Sequence, residues 1–151
     1  MGNKEDLEIA KKELHTKDLT LVVVKNADVL FESRGQGVST FLEALEKLGK
    51  RIKGASVADK VAGKAVALLC IYAEVKAVYA VTLSLSAKRT LEKYGVYFEW
   101  EKLVKQILDA SGVSVCPFEK ATLDIEAPEE AYEKIKTVME ALKGRDKTDG
   151  Q

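Results

Sequence analysis

A chain of 151 residues with 46% apolar residues can bury a continuous core, and we expect a single domain over residues 1–144 with a flexible tail at 145–151. Its 24 Lys and Arg residues balance 24 Asp and Glu residues, so no net field attracts nucleic acid or an anionic membrane. The longest apolar run, residues 65–73, is too short to cross a bilayer and the amino terminus is too charged for a signal peptide, so we expect a cytoplasmic protein.

The first half of the chain predicts a helix, a hairpin and two further helices. Apolar residues at helical spacing predict an amphipathic helix over residues 4–15. Two runs rich in β-branched and aromatic residues, 19–25 and 28–33, are separated by Asn-Ala and predict a β-hairpin. The segment "RGQGVSTFLEALEKLG" predicts a loop and a helix that ends near Gly49. In "VADKVAGKAVALLCIYAEV", residues 57–75, few charges interrupt small and aliphatic residues, which indicates a helix buried on most sides.

The second half of the chain predicts alternating strands and helices. The predicted elements are a strand at 76–83, a helix in "SLSAKRTLEKYG", a strand at 96–100, a helix in "EKLVKQILDASG", a helix in "CPFEKATLD" with Pro117 in its first position, and a final helix over 127–144 that Lys143 and Gly144 close. Strands separated by helices favour an α/β fold with a mixed sheet, whose antiparallel part is the hairpin.

Some residue types are scarce, and this limits the chemistry of the chain. Among His and Cys residues, the chain offers only His15, Cys70 and Cys116. A catalytic zinc site needs three protein ligands and a structural site needs four. We therefore expect free thiols, no bound metal and no cofactor. Amides are scarce as well, while Lys and Glu are abundant, which is typical of proteins from thermophiles.

Cys116 stands at a predicted helix start, directly before Pro117. There its thiol would face unpaired N–H groups and the positive end of the helix dipole, which stabilise a thiolate. Alternatively it is a small apolar residue in the core, because free cysteine is among the most often buried residue types. Both interpretations of Cys116 stay open. Cys70 lies within an apolar run and is expected in the core.

Asp59 and Lys64 flank the predicted start of the buried helix. Asp59 stands where an N-cap residue would, and Lys64 lies among small apolar residues. The lysine either extends along the packed face to solvent or points into a cleft, where it would bind an anion and a carboxylate such as Asp59 or Glu119 would pair with it. Gly63 in a helix costs about 1 kcal/mol relative to alanine. We therefore expect another group to approach the backbone closely at Gly63.

Ser84 and Ser86 follow a predicted strand and precede a predicted helix. Either serine can cap that helix. In α/β proteins ligands bind preferentially at the carboxyl ends of strands, so both are also candidates for contacting a ligand. A serine hydrolase is not predicted, because the chain has no Gly-x-Ser-x-Gly motif and its sole histidine is His15.

The hairpin followed by "RGQGVSTFLEAL", "DKVAGKAVALL", "VYAVTLS" and "CPFEKAT" resembles a small prokaryotic family. That family is catalogued as a domain of unknown function and is grouped by fold with the cytidine deaminase-like superfamily. The resemblance covers residues 5–142. It implies a three-layer α/β/α fold in which helices sandwich a mixed β-sheet.

The resemblance also implies what the chain lacks. The wider superfamily deaminates with a zinc ion held by His or Cys from one helix and by Pro-Cys-x-x-Cys at the start of the next, with a Glu as general acid and base. The resemblance places "DKVAGKAVALL" and "TLSLSAKRTL" in those two positions, and neither carries these residues. Zinc-dependent deamination is therefore not expected.

Three functions stay open, and whether the protein is an enzyme stays open with them. In the first, an unidentified small polar or anionic molecule binds in the deaminase-type pocket and the Cys116 thiolate acts on it. Lys64 would hold the anionic group, with Asp59 orienting Lys64. The pocket would be lined by Asp59, Lys64, Ser84, Ser86 and Cys116. In the second, the same pocket binds without turnover. In the third, the protein is a homo-oligomer with Phe98, Trp100 and Phe118 at a subunit interface.

Overall fold

The computed structural model describes residues 2–108 and 115–149 of the chain. Within these residues the elements in chain order are α1 (Gly2–Thr16), β1 (Leu21–Lys25), β2 (Asp28–Ser33), α2 (Val38–Leu48), β3 (Ser56–Ala62), α3 (Lys64–Tyr72), β4 (Ala77–Ser84), α4 (Leu85–Lys93), β5 (Tyr97–Val104), α5 (Pro117–Thr122) and α6 (Pro128–Asp149). A single 3-10 segment, Gly49–Ile52, follows α2 directly. No helix in the described part of the chain is both long and apolar enough to cross a membrane.

The five strands form one mixed sheet in the order β2-β1-β3-β4-β5. β1 pairs antiparallel with β2 and with β3, whereas β3, β4 and β5 are parallel to one another. The hairpin turns at Asn26 and Ala27, which both have positive φ. This is the backbone of a type I′ turn, whose twist matches that of the flanking strands. The predicted mixed sheet with an antiparallel hairpin is confirmed.

Helices cover both faces of the sheet. α1 packs on one face, where Leu7 and Leu14 lie in a small core with Tyr79 of β4. The opposite face carries the larger core, formed with α2, α3, α4 and α6. Within that core α3 packs against α6 on its outer side, and each of its residues from Lys64 to Cys70 is buried. The predicted three-layer fold and its buried central helix are confirmed.

The predicted start of the buried helix was wrong. Residues Ser56–Ala62 form strand β3 rather than helix, and they pair with β1 on one side and β4 on the other. Asp59 is therefore a strand residue and not an N-cap, and Gly63 takes the N-cap position of α3. The two alanines and the lysine of "SVADKVA" suit a helix, but pairing with a strand on each side overrides that local preference.

Two further predicted boundaries differ from the structure. β5 extends to Val104 because its parallel pairing with β4 continues to the end of both strands, so the start of the helix predicted in "EKLVKQILDASG" is wrong. Residues 109–112 of that segment lie outside the described residues. α6 continues to Asp149, past Gly144, where the sequence predicted its end. The flexible tail from 145 onward stays a prediction.

Candidate functional site

The polar residues singled out in the sequence converge mainly at the carboxyl ends of β3 and β4, where α3 and α4 begin. Helix starts leave backbone N–H groups without intrahelical acceptors. At α4 the Ser84 Oγ accepts the N–H of Ala87 at 3.1 Å, so the predicted serine cap is confirmed. At α3 the N-cap residue is Gly63, which has no side chain to serve as a cap.

Glu119 of α5 supplies the cap that α3 lacks. Its Oε1 accepts the N–H of Ala65 at 3.0 Å, and its carboxyl group also receives the N–H of Lys64 and a hydrogen bond from the Ser86 side chain. Because Ser86 belongs to the first turn of α4, one carboxyl group bridges the starts of two helices. Glu119 is buried, with 8% of its surface exposed.

Gly63 permits this arrangement because it has no Cβ. A Cβ at this position would lie 2.5 Å from the carboxyl carbon of Glu119, well inside the van der Waals contact distance. The expectation that another group approaches the backbone at Gly63 is thus confirmed, and the group is the Glu119 carboxyl. From the sequence, Glu119 was predicted only as an alternative partner for Lys64. Its position in the first turn of a helix that begins at Pro117 gave no sign of contact with α3.

Lys64 is buried, with 6% of its surface exposed, yet its ammonium group reaches the loop after α5. The Lys64 Nζ donates to the backbone oxygen of Leu123 at 2.8 Å and lies 3.4 Å from Oε1 of Glu126. The ammonium therefore pairs with Glu126, and the predicted pairing with Asp59 is wrong. We name Lys64, Ser84, Ser86, Glu119 and Glu126 the carboxyl-edge cluster.

The carboxyl groups of this cluster have opposite electrostatic environments. Burial raises the pKa of Glu119 above its ordinary value, although the N–H groups of Ala65 and Lys64 and the Lys64 charge oppose that shift. The positive charge of Lys64 lowers the pKa of the exposed Glu126, with a further contribution from Lys93. The two serine hydroxyls, Ser84 Oγ and Ser86 Oγ, lie 3.2 Å apart. The cluster thus combines one buried cation, one buried and one exposed carboxyl group, and two hydroxyls.

Asp59 lies apart from the cluster. It sits in β3 opposite Leu21 and Ala80 of the neighbouring strands, on the sheet face that carries α3. Its Oδ1 accepts the N–H of Val61 at 3.2 Å. The residue is partly buried, and desolvation of its carboxyl group raises the pKa of Asp59 to about 7, against the lowering effect of backbone N–H groups. Burial, and then the nearby Asp59 charge, raises the pKa of Cys70 well above its ordinary value, as expected for a core thiol.

Cys116 is the N-cap residue of α5, so the predicted helix start at Pro117 is confirmed. The thiol is partly buried and packs against the edge of the larger core, and it does not cap α5. The backbone of Cys116 is hydrogen bonded to Ile107 and Lys120. Among the described residues, no hydrogen bond joins the Cys116 thiol to Lys64, Ser84 or Ser86. The structure therefore brings together three of the five predicted site residues and leaves Asp59 and Cys116 outside.

The cluster does not fit a zinc ion. Zinc sites draw at least three ligands from His, Cys, Asp and Glu. No group of three such residues that could hold a metal occurs among residues 2–108 and 115–149. At the cluster itself the one buried carboxyl group is already bonded to N–H donors, and the Lys64 ammonium would repel a cation.

The fold and the cluster define a class: a mixed α/β domain with helices on both faces and a polar group without zinc ligands at the carboxyl edge of its sheet. The family described as TM1506, Domain of unknown function (DUF1893), matches residues 9–139. The chain belongs to this family. The predicted membership in an uncharacterised prokaryotic family is confirmed.

Solved structures extend the comparison. The DUF1893 protein TM1506 from Thermotoga maritima superposes with a TM-score of 0.83 at 28% sequence identity, covering 91% of this chain and 92% of that one. RibD from Acinetobacter baumannii gives a TM-score of 0.45 at 22% identity, covering 65% of this chain and 33% of RibD. The dCMP deaminase of cyanophage S-TIM5 gives 0.46 at 18% identity, covering 64% and 94%. No curated protein sequence matches the chain.

Proposed function

We propose that the protein binds a small polar or anionic molecule at the carboxyl-edge cluster without a metal ion. The observation that supports this most directly is the Lys64 ammonium, a buried cation at the start of α3 that reaches the Leu123 oxygen and Glu126 in the loop after α5. Buried charges are costly unless they are paired, and a lysine ammonium is a compact point charge that can bind an anion. The carboxyl ends of parallel strands are also where α/β proteins bind ligands.

The contacts of Lys64 leave one donor of its ammonium group for such a ligand. An ammonium group has three donors, and the described residues use two of them, one for Leu123 and one for Glu126. The contact with Glu126 is long, and 60% of the Glu126 side chain is exposed. An incoming anion would replace the Glu126 carboxylate on Lys64, while the Leu123 oxygen keeps the ammonium in place.

Calorimetric titration with inorganic phosphate and with malonate tests this proposal. The wild type should bind at least one of the two anions, and Lys64→Met should weaken that binding by about tenfold or more, the loss expected for one charge-assisted contact. Lys93→Met is the matched control, because Lys93 also faces Glu126 but is exposed. It should bind within about twofold of the wild type. Equal losses in both variants, or no binding by the wild type, would overturn the proposal.

A catalytic version, in which the Cys116 thiol acts on the bound molecule, stays a prediction. Its support is the position of the partly buried Cys116 at the start of α5, directly before Pro117. The non-catalytic version needs only the cluster. Alkylation by iodoacetamide at about pH 7 separates them: the catalytic version requires Cys116 to react faster than a cysteine in an unstructured peptide. Cys70 serves as an internal control and should not react, since it is fully buried.

The third predicted function, a subunit interface, loses one of its residues. Phe118 is buried within the larger core of its own chain and is not available to a partner. Trp100 is 39% exposed and stacks on Phe98 at a centroid distance of 5.6 Å on the edge strand β5. Measurement of the solution mass of the wild type and of Trp100→Ala tests what remains of this proposal. A mass that is the same for both and equals one chain contradicts it.

A further inference from the structure

A groove lies at the other end of α3, away from the carboxyl-edge cluster. Its volume is about 620 Å³, within the range of about 300 to 1,000 Å³ that small-molecule sites occupy. It is formed by the end of α2, the 3-10 segment that follows, the end of α3 and one residue of α6. Its lining residues are Leu45, Gly49, Lys50, Ile52, Lys53, Tyr72, Ala73, Glu74 and Tyr132.

Two tyrosine rings form one wall of this groove. Tyr72 and Tyr132 stack with centroids 4.3 Å apart and planes 8° from parallel. The Lys136 ammonium lies 5.0 Å from the Tyr132 centroid, whereas 37% of Tyr72 is exposed. Tyrosine supplies a large, stiff apolar surface on which another planar ring can stack, and Tyr72 is already fixed by Tyr132. The wall is therefore preformed for a planar group.

Three charged residues line the groove: Lys50, Lys53 and Glu74. The Lys50 ammonium forms no hydrogen bond or ion pair with any residue that the structure describes. Lys53 and Glu74 are 3.8 Å apart and both are well exposed, so their attraction is weak. The carbonyl ends of α2 and α3 also point to this region, and the lysines balance part of their negative potential. Lys50 thus remains the cation best placed to meet a ligand's negative charge.

We propose that the groove binds a small planar aromatic anion, with its ring against Tyr72 and its anionic group at Lys50. Charge complementarity and the stacked tyrosines favour this class over a neutral apolar ligand, which would gain nothing from Lys50, and over a simple anion, which would gain nothing from Tyr72. The site is distinct from the carboxyl-edge cluster, because the nine residues of α3 separate the two by about 13 Å.

Titration of the 15N-labelled wild type with 2-naphthoate, followed by NMR, tests the proposal. Saturable shifts should appear in the amide signals of residues 49–53 and 72–74. The neutral analogue 2-naphthalenemethanol and acetate should each bind at least about fivefold more weakly, since each lacks one half of the recognised chemistry. Absence of saturable shifts at these residues, or equal affinity for all three compounds, would overturn the proposal.

Variants locate the binding. Tyr72→Leu and Lys50→Gln should each weaken 2-naphthoate binding by about fivefold or more. The matched control is Lys47→Gln, because Lys47 precedes Lys50 on the same segment, pairs with Glu43 and does not line the groove. Lys47→Gln and Lys64→Met should leave the binding of 2-naphthoate unchanged. A negative result for the groove can therefore be distinguished from a negative result for the carboxyl-edge cluster. A dimer that Tyr72→Leu dissociates would show that a second copy covers the groove, which also overturns the proposal.

Discussion

The two ends of α3 meet their surroundings in opposite ways. At the amino end, a carboxyl group from α5 fills the space beside Gly63 and accepts the free N–H groups of the helix. At the carboxyl end, a groove of about 620 Å³ stays open between tyrosines and lysines. The difference shows that polar residues conspicuous in a sequence can be largely occupied by their own chain, while open volume forms where the sequence has no motif.

The largest expected effect comes from filling the space beside Gly63. Gly63→Ala should lower the free energy of unfolding by roughly 2 to 4 kcal/mol, because the new methyl group displaces the Glu119 carboxyl and leaves buried N–H groups without acceptors. The backbone itself is not the obstacle, since Gly63 has a φ of −101°, which alanine adopts freely. Urea denaturation measures the loss.

A double-mutant cycle gives the control for this prediction. In a Glu119→Ala background, Gly63→Ala should cost less than about 1 kcal/mol, because the clashing group is gone. Equal losses in both backgrounds would show that Glu119 does not occupy the space beside Gly63 in solution.

The next largest expected effect is the dependence of stability on pH through Asp59, which lies on the sheet face beneath α3. Asp59 has a pKa of about 7 in the folded protein against a usual 3.8. A raised carboxyl pKa contributes stability that is fully present below the unfolded value and is lost as the pH rises through the folded value. The free energy of unfolding should therefore fall between about pH 4 and pH 7 through Asp59. The full pKa shift corresponds to a fall of about 4 kcal/mol in the free energy of unfolding. Because Asp59 is partly exposed, we expect a fall of about 2 kcal/mol.

Asp59→Asn isolates that contribution. Asparagine keeps an oxygen for the N–H of Val61 and carries no charge. Above about pH 7 the variant should be more stable than the wild type by about 2 kcal/mol, and the difference should vanish near pH 4. Comparison of the two proteins cancels the other carboxyl groups, such as Glu119, whose pKa is raised, and Glu126, whose pKa is lowered. A constant difference across this pH range would contradict the prediction.

A smaller effect is expected at the amino end of α3 from Lys64→Met. Methionine preserves most of the packed stem, while the Leu123 oxygen loses its donor, so the free energy of unfolding should fall by about 1 kcal/mol. The pKa of Glu126 should rise toward its ordinary value, because the Lys64 charge is the main cause of its lowering. NMR titration of Glu126 measures this, and Lys93→Met should produce a smaller rise. The reverse order would contradict the assigned pairing.

The smallest effect on stability is expected at the carboxyl end of α3, where the groove lies. Tyr72→Leu removes one stacked ring that is already partly exposed, so the free energy of unfolding should fall by only about 0.5 to 1 kcal/mol. Thermal and urea denaturation measure this. A loss as large as that of Gly63→Ala would show that Tyr72 is a core residue, and the contrast between the two ends of α3 would then fail.

Local chemistry in the sequence predicted much of the fold. The hairpin, the serine cap of α4 and the start of α5 at Pro117 each depend on a few adjacent residues, and each is confirmed. β3 could not be predicted in this way, because "SVADKVA" becomes a strand only through pairing with β1 and β4. Because this strand pairing was not known from the sequence, Asp59 was wrongly predicted at a helix start.

The candidate site was predictable only in part. Gly63 indicated a close approach, since it was predicted inside a helix, where glycine is unfavourable relative to alanine, but the approaching group comes from another part of the chain. The partner of Lys64 could not be predicted either, because Glu126 lies 62 residues away in the sequence. The groove at Tyr72 has no sequence signal at all, since its lining combines residues from three separate segments.

The cap on α3 also constrains the order in which the protein can fold. The Glu119 carboxyl joins Ala65 across 54 positions of the chain. During synthesis the first turn of α3 therefore stays without its acceptor until α5 has emerged and docked. Contacts of such sequence separation form late, because the entropy of closing the loop must be overcome first. We expect the amino end of this buried helix to be among the last parts of the core to gain protection from hydrogen exchange.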